Sequence, residues 1–347
     1  MVIRGERLEA RGERLEARGE RIETIYLGGG TPSQLTTDQL RQLFIYINKV
    51  YGLNLTGGQS PREVTIEMNP DDVTVEYAAV LQQLPINRVS MGAQTFDDHR
   101  LQFLRRRHTA TQVRQAVTML RTAGITNISI DLMYGFPDET MADWESDIDA
   151  ALSLDVEHIS AYCLTIEENT PLWRLKMKDE KLKMPGEELE RAMYERLIDR
   201  LTAAGYEHYE ISNFAKPGYQ SRHNSSYWQD IPYIGLGAAA HSYDGHCRSW
   251  NVSDIHAYIA AIGRGELPSE KEVLDDVTHY NDRITTALRT RDGLDLSTLP
   301  DRFHHYCLQE AQSFLRNGLL RLEDNRLTLT RQGLFVCDMV MSALMKV

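Results

Sequence analysis

The sequence predicts an α/β fold, a parallel sheet with right-handed helical crossovers followed by a small winged-helix-like α+β module. Three observations carry this reading. Short β-branched or aromatic runs alternate with stretches of helical periodicity from Ile25 onward, the residues that end those runs are polar, and residues 278 to 347 change to helix, helix and a tight two-strand turn.

The runs IYL (25 to 27), VTIEM (64 to 68), RVSM (88 to 91), ISIDLMY (128 to 134), HISAYCL (158 to 164) and YEHYEI (206 to 211) read as strands. Between them, TTDQLRQLFIYINKVY, TATQVRQAVTMLRTAG and EELERAMYERLIDRLTAAG read as amphipathic helices. The last two end at Gly124 and Gly205, where a C-cap glycine belongs. Alternation alone does not separate an open sheet from a barrel. Residues 213 to 254 read as a loop-rich aromatic segment, and residues 255 to 347 as the winged-helix-like domain, with two short strands around Asp324 and Asn325.

Ahead of the first strand stand three near-identical heptads, RGERLEA, RGERLEA and RGERIET. Each offers a single large apolar residue (Leu8, Leu15, Ile22) where a coiled-coil seam needs two, so residues 1 to 23 are expected to be disordered or a frayed helix. RGERIET runs straight into the strand. It is therefore expected to be a helix end, and the two heptads before it tandem copies.

With 42% hydrophobic and 25% charged residues, a chain of 347 residues has the make-up of a globular protein with one large domain and a smaller one. A net charge of -12 argues against general nucleic-acid binding, which requires a surplus of Lys and Arg. No apolar run approaches the roughly 18 residues of a membrane span, and charged heptads stand where a signal peptide has its apolar stretch. The expected location is the cytoplasm. Cys163, Cys247, Cys307 and Cys337 lie too far apart for a local zinc or iron-sulfur chelate, which leaves them as small apolar residues and assigns no metal ligand.

Ligands of parallel α/β domains gather at the C-terminal ends of the strands. Those ends read GGGTPS (28 to 33), EMNP (67 to 70), GAQ (92 to 94), Asp131 with YGFP (134 to 137), and LTIEENT (164 to 170). The glycine triplet lets a ligand approach bare backbone N–H groups. It is not a P-loop, because no Gly-Lys-Ser/Thr follows, and Ser33 stands at the third glycine position of a dinucleotide fingerprint. Glu67 and Asp131 are carboxylates in apolar runs, and either pair with a base such as Arg88 or accept hydrogen bonds from a ligand. Arg105, Arg106 and Arg107 form either a solvated helix end or, for one of them, a grip on a ligand carboxylate. His223 with Asn224, Tyr227 and Trp228 suits a flat aromatic ligand such as haem, although a lone loop histidine is more often ordinary surface.

Taken together, YLGGGTPSQL, TIEMNP, NRVSMGAQTFDD, the RRRH run, ISIDLMYGFPDET, SAYCLTIEENT, HNSSYW and YIGLGAAAHS resemble, in order and approximate spacing, the HemW/HemN-like radical SAM family, the oxygen-independent coproporphyrinogen oxidase-like proteins. The resemblance spans residues 22 to 347. LTIEENT and HNSSYW make the chain more similar to the haem-chaperone branch than to the coproporphyrinogen dehydrogenase branch, which stays as the alternative, an oxidase of porphyrin biosynthesis. The resemblance implies a partial TIM-like barrel of six strands and a C-terminal winged-helix-like domain. It implies that Gly29, Gly30, Thr31, Glu67, Gln94, Arg106, Asp131 and Thr165 contact S-adenosylmethionine, and that His223, Asn224, Tyr227 and Trp228 contact haem. Haem or a porphyrin and a haem-acceptor protein are the implied partners.

The family also carries C-x3-C-x2-C after its first strand, where three thiolates hold a [4Fe-4S] cluster. Here the heptad repeat occupies that position and no cysteine can substitute by spacing. The expectation is an N-terminally incomplete chain, lacking its first strand and the cluster ligands, with no catalytic residue assigned. A bare sheet edge beside residues 24 to 28, prone to association, is expected with it. A cluster-free binding protein acting through its winged-helix-like end is a third reading.

Overall fold

A computed structural model of the chain describes residues 2–5, 22–51, 61–168, 170–178 and 183–347. In chain order the first half runs β1 (Val2–Gly5), β2 (Ile22–Leu27), α1 (Thr37–Tyr51), β3 (Glu63–Met68), α2 (Val75–Gln83), β4 (Arg88–Gln94), α3 (Asp98–Phe103), α4 (Ala110–Thr122), β5 (Asn127–Tyr134), α5 (Met141–Ser153) and β6 (His158–Cys163). Strands β2 to β6 pair in parallel, each with the next, and curl into a half barrel.

Period-2 patterning explains which way each strand faces. Ile25, Leu27, Val64, Ile66, Val89, Met91, Ile128, Ile130 and Ile159 share one buried core with Leu40 and Phe44 of α1, Leu81 of α2, Val113 and Leu120 of α4, and Trp144 and Ile148 of α5. The alternate residues, among them Thr24, Tyr26, Glu63, Glu67, Arg88, Ser129, Asp131 and His158, line the concave side. The barrel interior is therefore polar. Helix starts are set by capping: Thr109 with Gln112 and Thr140 with Asp143 form capping boxes at α4 and α5. Gly124 and Gly205 take the left-handed φ of 86° and 88° expected of residues just past a helix end.

After β6 come α6 (Pro171–Lys178), α7 (Glu187–Ala203), β7 (Glu207–Glu210), β8 (Asn213–Ala215), α8 (Arg222–Trp228), β9 (Tyr233–Gly235), β10 (His241–Tyr243), β11 (Cys247–Asn251), α9 (Ile255–Gly263) and β12 (Ser269–Val273). Strands β8 and β7 extend the sheet beyond β6, and β9 to β12 extend it at the other end, giving the order β12-β11-β10-β9-β1-β2-β3-β4-β5-β6-β8-β7. Residues 213 to 254 thus carry short strands and α8 among the loops that their composition suggests. Their strands are three to five residues long, too short to show a period in sequence.

Two N-terminal expectations are corrected. Val2–Gly5 pairs antiparallel with β2 and with β9, Val2 standing opposite both Tyr26 and Gly235, so the edge expected to be bare beside residues 24 to 28 is covered. Ile22, Glu23 and Thr24, expected to end a helix, begin β2, because burying Ile22 in the sheet core outweighs weak helical preference. The rest of the heptad repeat lies outside the described residues.

The C-terminal module is α10 (Asp276–Ala287), β13 (Leu294–Asp295), α11 (Asp301–Arg316), β14 (Leu320–Glu323), β15 (Arg326–Leu329), α12 (Arg331–Leu334) and α13 (Cys337–Leu344). It has its own core around Tyr280, Ile284, Phe303, Cys307, Leu327 and Val340. Asp324 and Asn325, with φ of 46° and 65°, make the primed turn between β14 and β15. Helix, strand, helix and wing follow the predicted winged-helix-like order. Among the described residues no helix is long and apolar enough to cross a membrane.

Candidate functional site

Of the residues expected to contact S-adenosylmethionine, all but Asp131 lie at or beyond the C-terminal ends of the parallel strands, and Asp131 is the fifth of the eight residues of β5. Gly29 and Gly30, with φ of 80° and 154°, follow β2, and a Cβ on either would meet nothing within 4 Å. That is open space bordered by backbone. Gly28 is different: a Cβ there would stand 2.4 Å from the Tyr26 ring and 2.8 Å from the Glu67 carboxyl, so its glycine lets those two side chains meet. Thr31 is exposed at the start of the following turn.

Glu67 does not pair with Arg88. Its Oε1 accepts the Tyr26 hydroxyl at 2.7 Å and its Oε2 the Gly29 N–H at 3.2 Å. Burial, and then the neighbouring carboxylate, hold the Tyr26 phenol well above its usual pKa, so it stays a donor. Arg88 is 1 % exposed, and its Nε and Nη1 have no hydrogen-bond partner among the described residues. Asp131 is lifted to about 6 by burial, against an opposing hydrogen bond from Ser160 and the charge of Arg88.

The three arginines part company. Arg105 is exposed with φ of 56°, and Arg107 meets Asp71 at 3.1 Å and Asp72 at 2.9 Å. Arg106 turns toward the strand ends, donating from Nη2 to Asn69 Oδ1 at 2.8 Å and to the Gly92 carbonyl at 3.1 Å. Gly92 permits this, since a Cβ there would sit 2.8 Å from Gln94 Nε2 and 3.0 Å from Arg106 Nη2. Gln94 itself has a left-handed φ of 67° where the pairing of β4 with β5 shifts register. Thr165 is exposed two residues past β6 and donates to the Cys163 carbonyl at 3.5 Å. Acidic acceptors, a guanidinium and bare glycine backbone at one end of the sheet fit the hydroxyls, ammonium and carboxylate of S-adenosylmethionine.

HNSSYW lies at the other end. It forms α8, packed against the N-terminal parts of β2 and β3. His223 is 1 % exposed, shares a 2.8 Å hydrogen bond with Thr24 Oγ1 through Nδ1, and lies on the Tyr26 ring with centroids 4.9 Å apart. The carboxylate of Glu63, 4 % exposed, accepts the amides of Arg222 at 2.9 Å and His223 at 3.0 Å, holding the start of the helix. Asn224 donates its amide to the N-cap Ser221, Tyr227 stands edge-on to His223 at 5.5 Å, and Trp228 lies under the Arg289 guanidinium at 5.2 Å. Trp228 lines a cleft of about 580 Å³ between α8 and α10, but His223 does not.

The two sets of residues are therefore not brought into one pocket. Tyr26 joins them, its ring on His223 and its hydroxyl on Glu67. Thr24, Tyr26 and Glu63 were not singled out from the sequence, and Asn69 and Gly92 were marked only as parts of the strand-end stretches EMNP and GAQ. Their alternation with Ile25, Val64 and Met91 is the one signal that marks them as inward-facing. A [4Fe-4S] cluster does not fit the described residues: the four cysteines are separate, and no three metal-ligating groups among the described residues come together.

Residues 4–151 match the family model of the radical SAM superfamily, and residues 274–336 that of the HemN C-terminal domain. The chain is 35% identical over 326 residues to the heme chaperone HemW of Bacillus subtilis, covering 92% of this chain and 85% of that one. It is 36% identical to HemW of Lactococcus lactis over 81% of this chain and 72% of the relative. The fold matches that of the radical SAM enzyme coproporphyrinogen III oxidase (HemN) of Escherichia coli with a TM-score of 0.77 at 19% identity, covering 94% of this chain and 78% of that one. By sequence along nearly its whole length, then, the chain belongs to the HemW heme chaperone family of radical SAM proteins.

Proposed function

We propose that this protein binds haem and S-adenosylmethionine and passes haem to an acceptor protein in the cytoplasm. Sequence agreement with curated heme chaperones over 92% of the chain is the observation that carries the reading. S-adenosylmethionine sits at the C-terminal strand ends, with Glu67 and Asp131 accepting from its hydroxyl and ammonium groups, Arg106 meeting its carboxylate, and Gly29, Gly30, Thr31, Gln94 and Thr165 around it. Haem is held by α8 through His223, Asn224, Tyr227 and Trp228. No radical step is assigned, since the described residues offer no thiolate set for a cluster. The coproporphyrinogen oxidase alternative has a shared fold at 19% identity behind it, which does not reach the reaction.

Titration of the purified full chain with haem under anaerobic conditions tests this. A Soret shift that saturates and changes in His223→Ala is expected. A spectrum indifferent to His223 overturns the haem assignment.

A further inference from the structure

His223 cannot reach a haem iron from where it sits. An axial imidazole needs a ring nitrogen facing open space wide enough for a flat macrocycle. Here Nδ1 is engaged by Thr24, one ring face is covered by Tyr26, Tyr227 stands edge-on, and the residue is 1 % exposed. Glu63 fixes the start of the helix by accepting two of its amides, and the Tyr209 hydroxyl accepts the amide of the N-cap Ser221 at 3.3 Å.

The surroundings leave α8 room to move. It is seven residues long, preceded by Gly218 with φ of 85° and followed by Asp230 with φ of 60°. The 580 Å³ cleft toward α10 and a second cavity of about 400 Å³, bordered by Thr24, Arg62 and Arg222, adjoin each other along the helix. Ser225 and Gln229 border both.

We propose that α8 is a latch: closed, it stores His223 against the barrel interior, and haem selects a released state in which Thr24, Tyr26 and Glu63 let the helix go. This rests on the haem-binding reading above. When the competent state is a minor one, apparent affinity is lowered by its population, so weakening the closed state strengthens binding. That sign is opposite to the one expected if Thr24 and Glu63 were supports of a preformed haem site.

The test is haem titration of the full chain followed by Soret absorbance. Thr24→Val keeps the side-chain shape and removes one buried hydrogen bond, and is expected to bind haem about fivefold tighter, equivalent to about 1 kcal/mol. Glu63→Gln shifts affinity in the same direction, and both variants reach the wild-type final spectrum. Equal or weaker binding in both, with a spectrum that still depends on His223, overturns the latch and leaves the haem reading standing. A spectrum unchanged in His223→Ala overturns both. Hydrogen exchange on the wild-type chain needs no variant: the amides of Arg222 and His223 are expected to exchange faster once haem is saturating. Unchanged protection of those amides also overturns the latch.

Discussion

Tyr26 lies on His223 with ring centroids 4.9 Å and planes 25° apart, while its hydroxyl donates to Glu67 at 2.7 Å. One side chain on β2 thus touches both groups of residues that the strands hold apart.

Tyr26→Phe keeps the ring contact and deletes the donor, leaving Glu67 Oε1 without it inside the half barrel. A hydrogen bond to a charged group contributes about 1.5–3 kcal/mol. Urea unfolding should therefore show a loss of roughly 2 kcal/mol, and the rise in Tm on adding S-adenosylmethionine should shrink, because Glu67 loses its orientation. An unchanged ligand-induced Tm shift would mean that Glu67 is positioned by other contacts.

Asp131 gives a pH signature whose sign is fixed. Its folded pKa of about 6 stands above the ordinary 3.8, so folding favours the protonated acid. The penalty for ionising it is absent below about pH 4, grows as pH rises toward 6 and is complete above that. Asp131→Asn should therefore stabilise the ligand-free protein by about 2 kcal/mol at pH 7.5 and by almost nothing at pH 4, measured by chemical denaturation. Equal stabilisation at both values would locate the effect in packing rather than charge. The same substitution should weaken S-adenosylmethionine binding, since it replaces an anionic acceptor.

The glycine triplet separates close approach from open space. Gly28→Ala places a methyl 2.4 Å from the Tyr26 ring and 2.8 Å from the Glu67 carboxyl, which forces both to shift, and is expected to cost about 2 kcal/mol. Gly30→Ala meets nothing within 4 Å but must hold φ near 154°, and should cost about 1 kcal/mol. Thermal melts of the two variants rank them, and Gly30→Ala the more destabilised would reverse the argument.

The strands β2 to β6 were legible because two periods coincide in them. Ile25, Val64, Val89, Ile128 and Ile159 must bury against helices, and the glycines at 124 and 205 mark where two of those helices stop. The polar strand ends were legible for the same reason, as breaks in an apolar pattern. Thr24 and Glu63 were not, because their partner is an imidazole and a helix start about 160 to 200 residues away, and nothing local marks such a contact. His223 was visible as a residue but not in its orientation. Seven residues of α8 read equally well as an exposed loop until Glu63 supplies acceptors for the start of the helix.

The joint between sheet and C-terminal module is as specific. Glu210, its side chain fully buried at the end of β7, accepts from Arg289 Nε at 3.0 Å and Nη2 at 2.9 Å, and from the Ser212 amide at 3.0 Å. Backbone bonds from Ile211 to the Arg289 carbonyl and from Arg291 to the Tyr209 carbonyl flank the pair. Removing one partner strands a buried charge, so Arg289→Met should cost about 3 kcal/mol, with a change in tryptophan emission because the guanidinium lies 5.2 Å from the Trp228 ring. Glu210→Gln combined with Arg289→Met removes both charges and should recover most of that loss. Urea midpoints of the two single variants and the double variant measure the coupling. Losses that simply add would show that Glu210 and Arg289 stabilise the joint independently, and that the flanking backbone bonds hold the module in place.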